Sequence, residues 1–284
     1  MILKPKTLLK IKRGKSVIRD IALKLDLIPG HQDYTKFIIL CRSRTGSNLL
    51  LNQLQFHQNI RMFYEIFSQD NSSKEFWDYI NYDLQNIRDL KQNNPLELVN
   101  SFVYRAMPLE VKAVGFKLFY YHARSGKQQE IWQYLKDRQE IKIIHLVRRN
   151  LLKTYVSQQL ALTTNSWYSK GDWTMFGLGD RQKHTPAIQL NYEKTLAALA
   201  ETNKLEQKNE YFFKDHQLLK IFYEDLVEDN TKEMAKVQNF LEVKPTSVYI
   251  STKKQSPNSL QKSIQNYAEL KNCFQGSPYA SFFK

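Results

Sequence analysis

Two short stretches of this 284-residue chain gather basic, hydroxyl and amide side chains at the end of an apolar run. The first is Arg42-Ser43-Arg44-Thr45-Gly46-Ser47-Asn48, which follows FIILC at 37–41 and precedes an apolar segment opening at Leu49. Read as a strand passing through a tight turn into a helix, it aims backbone N–H groups and a helix dipole at one point. That arrangement is a ready anion site. Gly46 lets the backbone approach an anion closely, and Thr45, Ser47 and Asn48 add short donors. The plainer alternative is a strand-to-helix turn capped by Ser or Asn. An ATP-type phosphate loop is excluded, because the first Gly and the Lys of GxxxxGK followed by Ser or Thr are missing.

The second stretch is IKIIHLVRRNLLKTYVSQQL at 141–160. Again an apolar strand pattern meets a helix, with two arginines at the junction. Arg149 stands at the helix start and Ser157 about two turns later. Basic charge at a helix start opposes the dipole, so the placement invites an anionic partner. The spacing alone does not aim both residues at one ligand.

Four apolar segments read as buried strands: 37–41, 113–118, 141–147 and 219–223. Helical patterns follow or separate them at 48–56, 127–138, 150–162, 186–209 (with Pro186 at its start) and 231–241. Strands alternating with helices predict an α/β fold with a mostly parallel central sheet covered on both faces. Two stretches read as additions. Residues 68–110 are polar and helical in pattern, and 164–185 mix Trp, Gly and charge without a period, which marks a candidate lid.

The composition narrows the class. Hydrophobic residues make up 42% and charged residues 25%, as in ordinary soluble domains. The 42 Lys and Arg outnumber the 28 Asp and Glu, giving a net charge of +14. Nucleic acid, an anionic membrane surface or a phosphorylated nucleotide would all answer to that charge. Cys41 and Cys273 supply neither a disulfide framework nor zinc spacing, which suggests a reducing compartment. The basic start has no apolar run of signal length and reads as a solvated arm, with contact to a membrane surface as the alternative. No apolar run is long enough to span a bilayer. The expected location is the cytoplasm.

The two motifs, in this order and at this separation, resemble those of the sulfotransferases that use PAPS (3′-phosphoadenosine 5′-phosphosulfate). The resemblance implies that the Arg42–Asn48 turn binds the 5′-phosphosulfate, with Arg44 to Asn48 matching by position. It implies that Arg149 and Ser157 bind the 3′-phosphate. Arg44 fills a place where many cytosolic members carry Lys and where bacterial members acting on sugars and lipids often carry Arg. Gly115-Phe116-Lys117 is similar to the family's second strand, and Tyr223-Glu224-Asp225-Leu226 to its last core strand and helix. Lys254 and Gln255, before IQNYAEL, resemble a C-terminal phosphate-contacting stretch. The resemblance runs from about residue 36 to 271 and departs at one place, for the family's RKGxxG stretch is absent. It implies a nucleoside-triphosphate-hydrolase-like (P-loop-like) sulfotransferase fold, one domain over 1–284, with PAPS as co-substrate and PAP as product.

Sulfuryl transfer requires in-line oxygens, charge stabilisation and a base for the acceptor's proton. Glu65 matches a Glu of some bacterial members and is the preferred base; a surface carboxylate is the alternative. His122, just past the 113–118 strand where cytosolic members place a catalytic His, is its rival. Lys117 either stabilises charge on the transferred group or flanks the strand. His145 reads as a packed core residue, and Cys41 as a small buried hydrophobe. No cluster has metal-ligand spacing, so no metal is expected. The implied acceptor is a hydroxyl or amine on a small molecule, glycan or lipid. A nucleotide-dependent phosphotransferase would want a phosphate-loop Lys and an acidic metal ligand, and neither is evident. A basic nucleic-acid-binding module would want a recognition signature, and none is found, so no nucleic-acid partner is expected.

Overall fold

A computed structural model describes residues 5–68, 84–164, 187–247 and 259–283. Five strands form a parallel sheet in the order β3-β5-β2-β6-β7. They are β2 (Thr35–Cys41), β3 (Ile60–Phe63), β5 (Ala113–Phe119), β6 (Lys142–Val147) and β7 (Leu218–Phe222). The three central strands are apolar almost throughout because helices cover both faces, leaving no solvated side for polar alternation. Phe37 to Cys41 are fully buried. Truncating one such Leu or Ile would cost about 2–5 kcal/mol. A separate two-residue antiparallel pair joins β1 (Gly30–His31) to β4 (Met107–Pro108).

Side chains alternate across the sheet, so each strand feeds two cores. Ile38, Leu40, Phe116 and Leu118 pack with Ile131 and Leu135 of α4 (Glu130–Asp137) and with Phe213, which follows α6 (Tyr192–Phe212). Phe37, Ile39 and Phe119 face α2 (Ser47–Phe56) and α8 (Asn230–Phe240) through Leu50, Leu54, Met234 and Val237. A third core joins α5 (Leu151–Thr164) and α6 to α9 (Leu260–Ser263) and α10 (Tyr267–Cys273) through Leu152, Leu199, Ile264 and Phe274.

The four expected strands are present, each within about a residue or two of its expected bounds. Three features differ from the sequence reading. β3 was not expected, because Arg61 interrupts its apolar run. The Arg61 guanidinium is satisfied by Asp20, with Nη2–Oδ1 at 2.9 Å. Asp20 belongs to α1 (Pro5–Lys24), so the basic start is a docked helix and not a solvated arm. α6 begins at Tyr192, capped by Asn191, whose side chain accepts from Lys194 N at 2.9 Å. Upstream, Ile188 is held extended by a parallel bridge to Ile264, which keeps the helix from starting at 186.

Within the expected 68–110 insertion lie α3 (Leu84–Asn93), a turn at Pro95–Glu97 and a π-helix at Leu98–Val103. This part is less polar in its packing than in its composition, for Leu98, Val99, Phe102 and Val103 all join the main core. The expected lid falls almost wholly outside the described residues.

Candidate active site

Every expected site residue among those described, Ser157 excepted, stands at or just past the carboxyl end of a strand. Arg42 to Asn48 follow β2, Glu65 follows β3, Lys117 and His122 close β5, Arg149 follows β6 and Tyr223 follows β7. The chain leaves β2 toward β3 and β5 on one side, then crosses to β6 and β7 on the other. Such a switch point opens a crevice beyond the carboxyl ends of the strands.

The β2–α2 turn is built around two left-handed residues, Arg44 (φ 69°) and Gly46 (φ 84°). For Arg44 this conformation is strained, and neighbours hold it. Its Nε donates to Ser157 Oγ at 2.9 Å, and Arg148 Nη1 donates to its carbonyl at 3.3 Å. Gly46 is required on two counts. A Cβ there would meet the left-handed φ and would also lie 2.2 Å from Cδ2 of Tyr223. Thr45 Oγ1 closes the turn onto the Arg42 carbonyl at 2.8 Å. The first turn of α2 carries no acid and no side-chain cap, so no side chain of that turn offsets the positive end of its dipole. α6, α8 and α9, by contrast, are capped by Asn191, Asp229 and Ser259.

Lys117 reaches this turn from β5. Parallel pairing sets it beside Ile39, and alternation turns it toward α2. Its Nζ lies 2.8 Å from Asn48 Oδ1, 3.4 Å from Ser47 Oγ and 2.6 Å from Glu65 Oε1. Lys117 and Glu65 are both buried. Three ammonium protons thus meet three acceptors. Glu65, Lys117, Ser47 and Asn48, read separately from the sequence, form one contiguous group.

His122 is placed differently. Its ring packs against Phe119 and Tyr121 at centroid distances of 4.8 and 5.1 Å. Its Nδ1 accepts from Phe119 N at 3.3 Å, so the neutral ring carries its proton on Nε2. Cys41 beside the turn is wholly buried, and burial pushes its thiol up to about 12, which leaves it no thiolate for chemistry. His145 is also fully buried, with Nε2 2.5 Å from the Tyr120 hydroxyl; its Nδ1 lies 3.1 Å from Glu210 Oε1 without a well-directed hydrogen bond.

The expected Arg149–Ser157 pair divides its contacts. Ser157 turns toward Arg44, while the Arg149 guanidinium forks onto Asp225, with Nη2–Oδ2 at 2.7 Å, and lies over the Phe222 ring. Two of its five donors are so used, and three remain for an anion. Glu224 accepts from the amides of Arg149 and Asn150 at 3.0 and 3.3 Å, where α5 begins. Lys254 and Gln255 lie outside the described residues.

Sequence reading missed several contributors. Arg148 is mostly buried, with its guanidinium over the Tyr223 ring at 4.8 Å. Gln158 Oε1 accepts from Arg42 Nη2 at 2.8 Å. A signal for Glu224 and Asp225 was present. Two acids follow β7 as two arginines follow β6, and these strands are neighbours in register through Val147 and Phe222.

These features gather basic, hydroxyl and amide groups at the carboxyl end of a parallel α/β sheet, and the sequence model of the sulfotransferase domain matches residues 34–276. The chain belongs to the sulfotransferase domain family, a family of transferases. Among curated proteins it is similar to Nodulation protein H of Rhizobium tropici, with 28% identity over 256 residues, covering 87% of this chain and 92% of that one. Among solved structures, a sulfotransferase from Alicyclobacillus acidocaldarius is 13% identical, with a TM-score of 0.44, over 87% of this chain and 93% of that one. The sulfotransferase domain from the Curacin biosynthetic pathway is 15% identical, with a TM-score of 0.47, over 87% and 94%. Mouse sulfotransferase SULT7A1 complexed with PAP is 15% identical, with a TM-score of 0.39, over 95% and 81%. Among the described residues no group of three or more His, Cys, Asp or Glu is placed to hold a metal, and no helix is long and apolar enough to cross a membrane.

Proposed function

We propose that the chain moves a sulfuryl group from PAPS to a hydroxyl or amine of a small-molecule, glycan or lipid acceptor, in the cytoplasm. The observation that carries this reading is the convergence of Lys117, Glu65, Ser47 and Asn48 on the uncapped start of α2. The crevice fits an anionic donor. The groups around the β2–α2 turn are N–H, hydroxyl and ammonium donors, and Gly46 lets Tyr223 pack directly on its backbone.

PAPS supplies an activated sulfuryl group on a phosphosulfate linkage. The α2 amides, Arg44 and Lys117 hold negative charge and are fixed before reaction by the contacts described, so they reorganise little as charge develops. Glu65 Oε accepts the acceptor's proton, with Lys117 2.6 Å away to balance the carboxylate. His122 is a weaker candidate, since its Nδ1 already accepts from the backbone and its Nε2 bears the proton. Arg149, with three donors unused by Asp225, takes the 3′-phosphate together with Ser157.

A thermal-shift panel with PAP, ATP plus magnesium, and an oligonucleotide tests the class. PAP alone should raise the melting temperature, because a ligand that binds only the native state stabilises it by mass action. A shift with ATP and none with PAP would mark a phosphotransferase. A shift with the oligonucleotide alone would mark a nucleic-acid-binding module. A screen of acceptors with labelled PAPS then identifies the second substrate.

A further inference from the structure

We propose that the outer face of α1 docks on an anionic lipid surface. A helix on a globular protein ordinarily buries its apolar stripe and exposes its charges. Over residues 12 and 14–24, α1 is mounted the other way round. Its polar face grips the body, where Lys12 Nζ donates to the carbonyls of Gln55 and His57, and Arg19 pairs with Glu110. Asp20, itself buried, lies between Arg61 and Arg105 at 2.9 and 3.1 Å. Leu23, on the same side, packs toward Gly30.

The opposite face carries Ile18 and Ile21, and Leu25, one residue past the helix, continues their i, i+3, i+7 spacing because its amide still bonds the Ile21 carbonyl; Leu27 lies just beyond. They are 68%, 42%, 63% and 71% exposed. Few large hydrophobics are that exposed among the described residues, and four of them fall within ten positions here. Such a cluster marks an interaction surface, whereas scattered single residues would not.

Charge selects the occupant. Residues 5–24 carry seven Lys or Arg, of which Lys12 and Arg19 are turned to the body, against the one acid, Asp20, whose charge is also spent inward. Lys15 and Lys24 are exposed and fall on either side of the apolar stripe on a helix of 3.6 residues per turn. An apolar stripe flanked by lysines is complementary to an interface of acyl chains beneath anionic headgroups. The helix lies in that plane and does not cross it.

Vesicle flotation of the full chain tests this. Vesicles of phosphatidylcholine with about 30% phosphatidylglycerol should carry the protein, pure phosphatidylcholine should not, and salt at ~0.5 M should weaken binding. Ile18→Ser with Leu25→Ser removes the stripe at exposed positions. It should leave the melting temperature unchanged and cut the vesicle-bound ratio at least ~10-fold. Lys15→Gln with Lys24→Gln should weaken binding to the anionic vesicles as well. Equal flotation of wild type and the double-serine variant would overturn the proposal, as would absence of binding to anionic vesicles. So would a wild-type dimer in sedimentation velocity that the serine variant converts to monomer, since a second copy would then be the occupant. Sulfuryl transfer to a soluble acceptor is expected to be equal in wild type and both variants, which keeps this result separate from the reading of the active site.

Discussion

Glu65 and Lys117 form a buried ion pair, and such a pair is informative when one member loses its charge. Glu65→Gln keeps an oxygen for the Lys117 ammonium and so keeps the geometry around Ser47 and Asn48, while removing the group that accepts a proton. Turnover should fall by about 10²–10⁴, the usual contribution of a general base. PAP affinity should stay near wild type, because the donor contacts lie in the α2 amides, Arg44 and the Arg149 region. His122→Asn should cost much less, since that ring is packed between Phe119 and Tyr121. The measurement is single-turnover rate alongside PAP titration for both variants. Loss of turnover in His122→Asn with a nearly silent Glu65→Gln would transfer the role to His122.

At the scale of elements, the β7–α7 junction, where α7 is Tyr223–Glu228, braces both halves of the proposed donor site. Tyr223 covers Gly46 of the β2–α2 turn, Glu224 accepts from the Arg149 and Asn150 amides just before α5, and Asp225 forks Arg149. Arg149→Ala should weaken PAPS by about 10- to 100-fold, the loss of charge-assisted hydrogen bonds, and barely affect the donor analogue lacking the 3′-phosphate. Asp225→Asn should raise the PAPS KM by roughly a few-fold with kcat unchanged, and the double variant should be no worse than Arg149→Ala alone. Equal weakening of both donors by Arg149→Ala would sink the assignment. An additive double variant would show that Asp225 acts independently of Arg149. The strands and the β2–α2 turn were legible because long apolar runs and a Gly within a basic, hydroxyl-rich turn are local signals. β3 was not, because its Arg61 makes sense only with Asp20, about forty positions away. The resemblance singled out Arg149, but no local signal separates it from Arg148, for the same reason. What separates them is that Arg148 lies over Tyr223 while Arg149 faces Asp225, and both partners come from a different strand end.

Across the whole molecule the charge is +14, and that excess would ordinarily favour an ionised carboxylate. One half-buried group goes the other way. Glu206 on α6 is pushed up to about 7, first by burial and then by the Glu210 and Glu224 charges, against the opposing pull of Lys220 and Arg42. Its Oε1 is buried without a hydrogen-bond partner. Between its unfolded value of 4.5 and about 7, the folded chain holds a proton that the unfolded chain has released. Stability therefore falls as pH rises through that window. Above it the cost is on the order of 3 kcal/mol at ~1.4 kcal/mol per pKa unit. Nearby groups titrate elsewhere or with the other sign. Glu210, drawn down to about 2 by His145 and Lys220, stays ionised throughout the window. His145, lowered chiefly by burial, loses stability as pH drops below its ordinary value of 6.5. The wild-type profile therefore mixes opposing slopes, and the difference from Glu206→Gln isolates this residue. Gln resembles the protonated acid, so the variant should match wild type near pH 5 and melt several degrees higher near pH 8. Melting temperatures across pH 5–8, by calorimetry or dye fluorescence, give the comparison. A difference that stays constant with pH would mean that Glu206 titrates outside this range and that its neighbours Arg42 and Lys220 outweigh its burial.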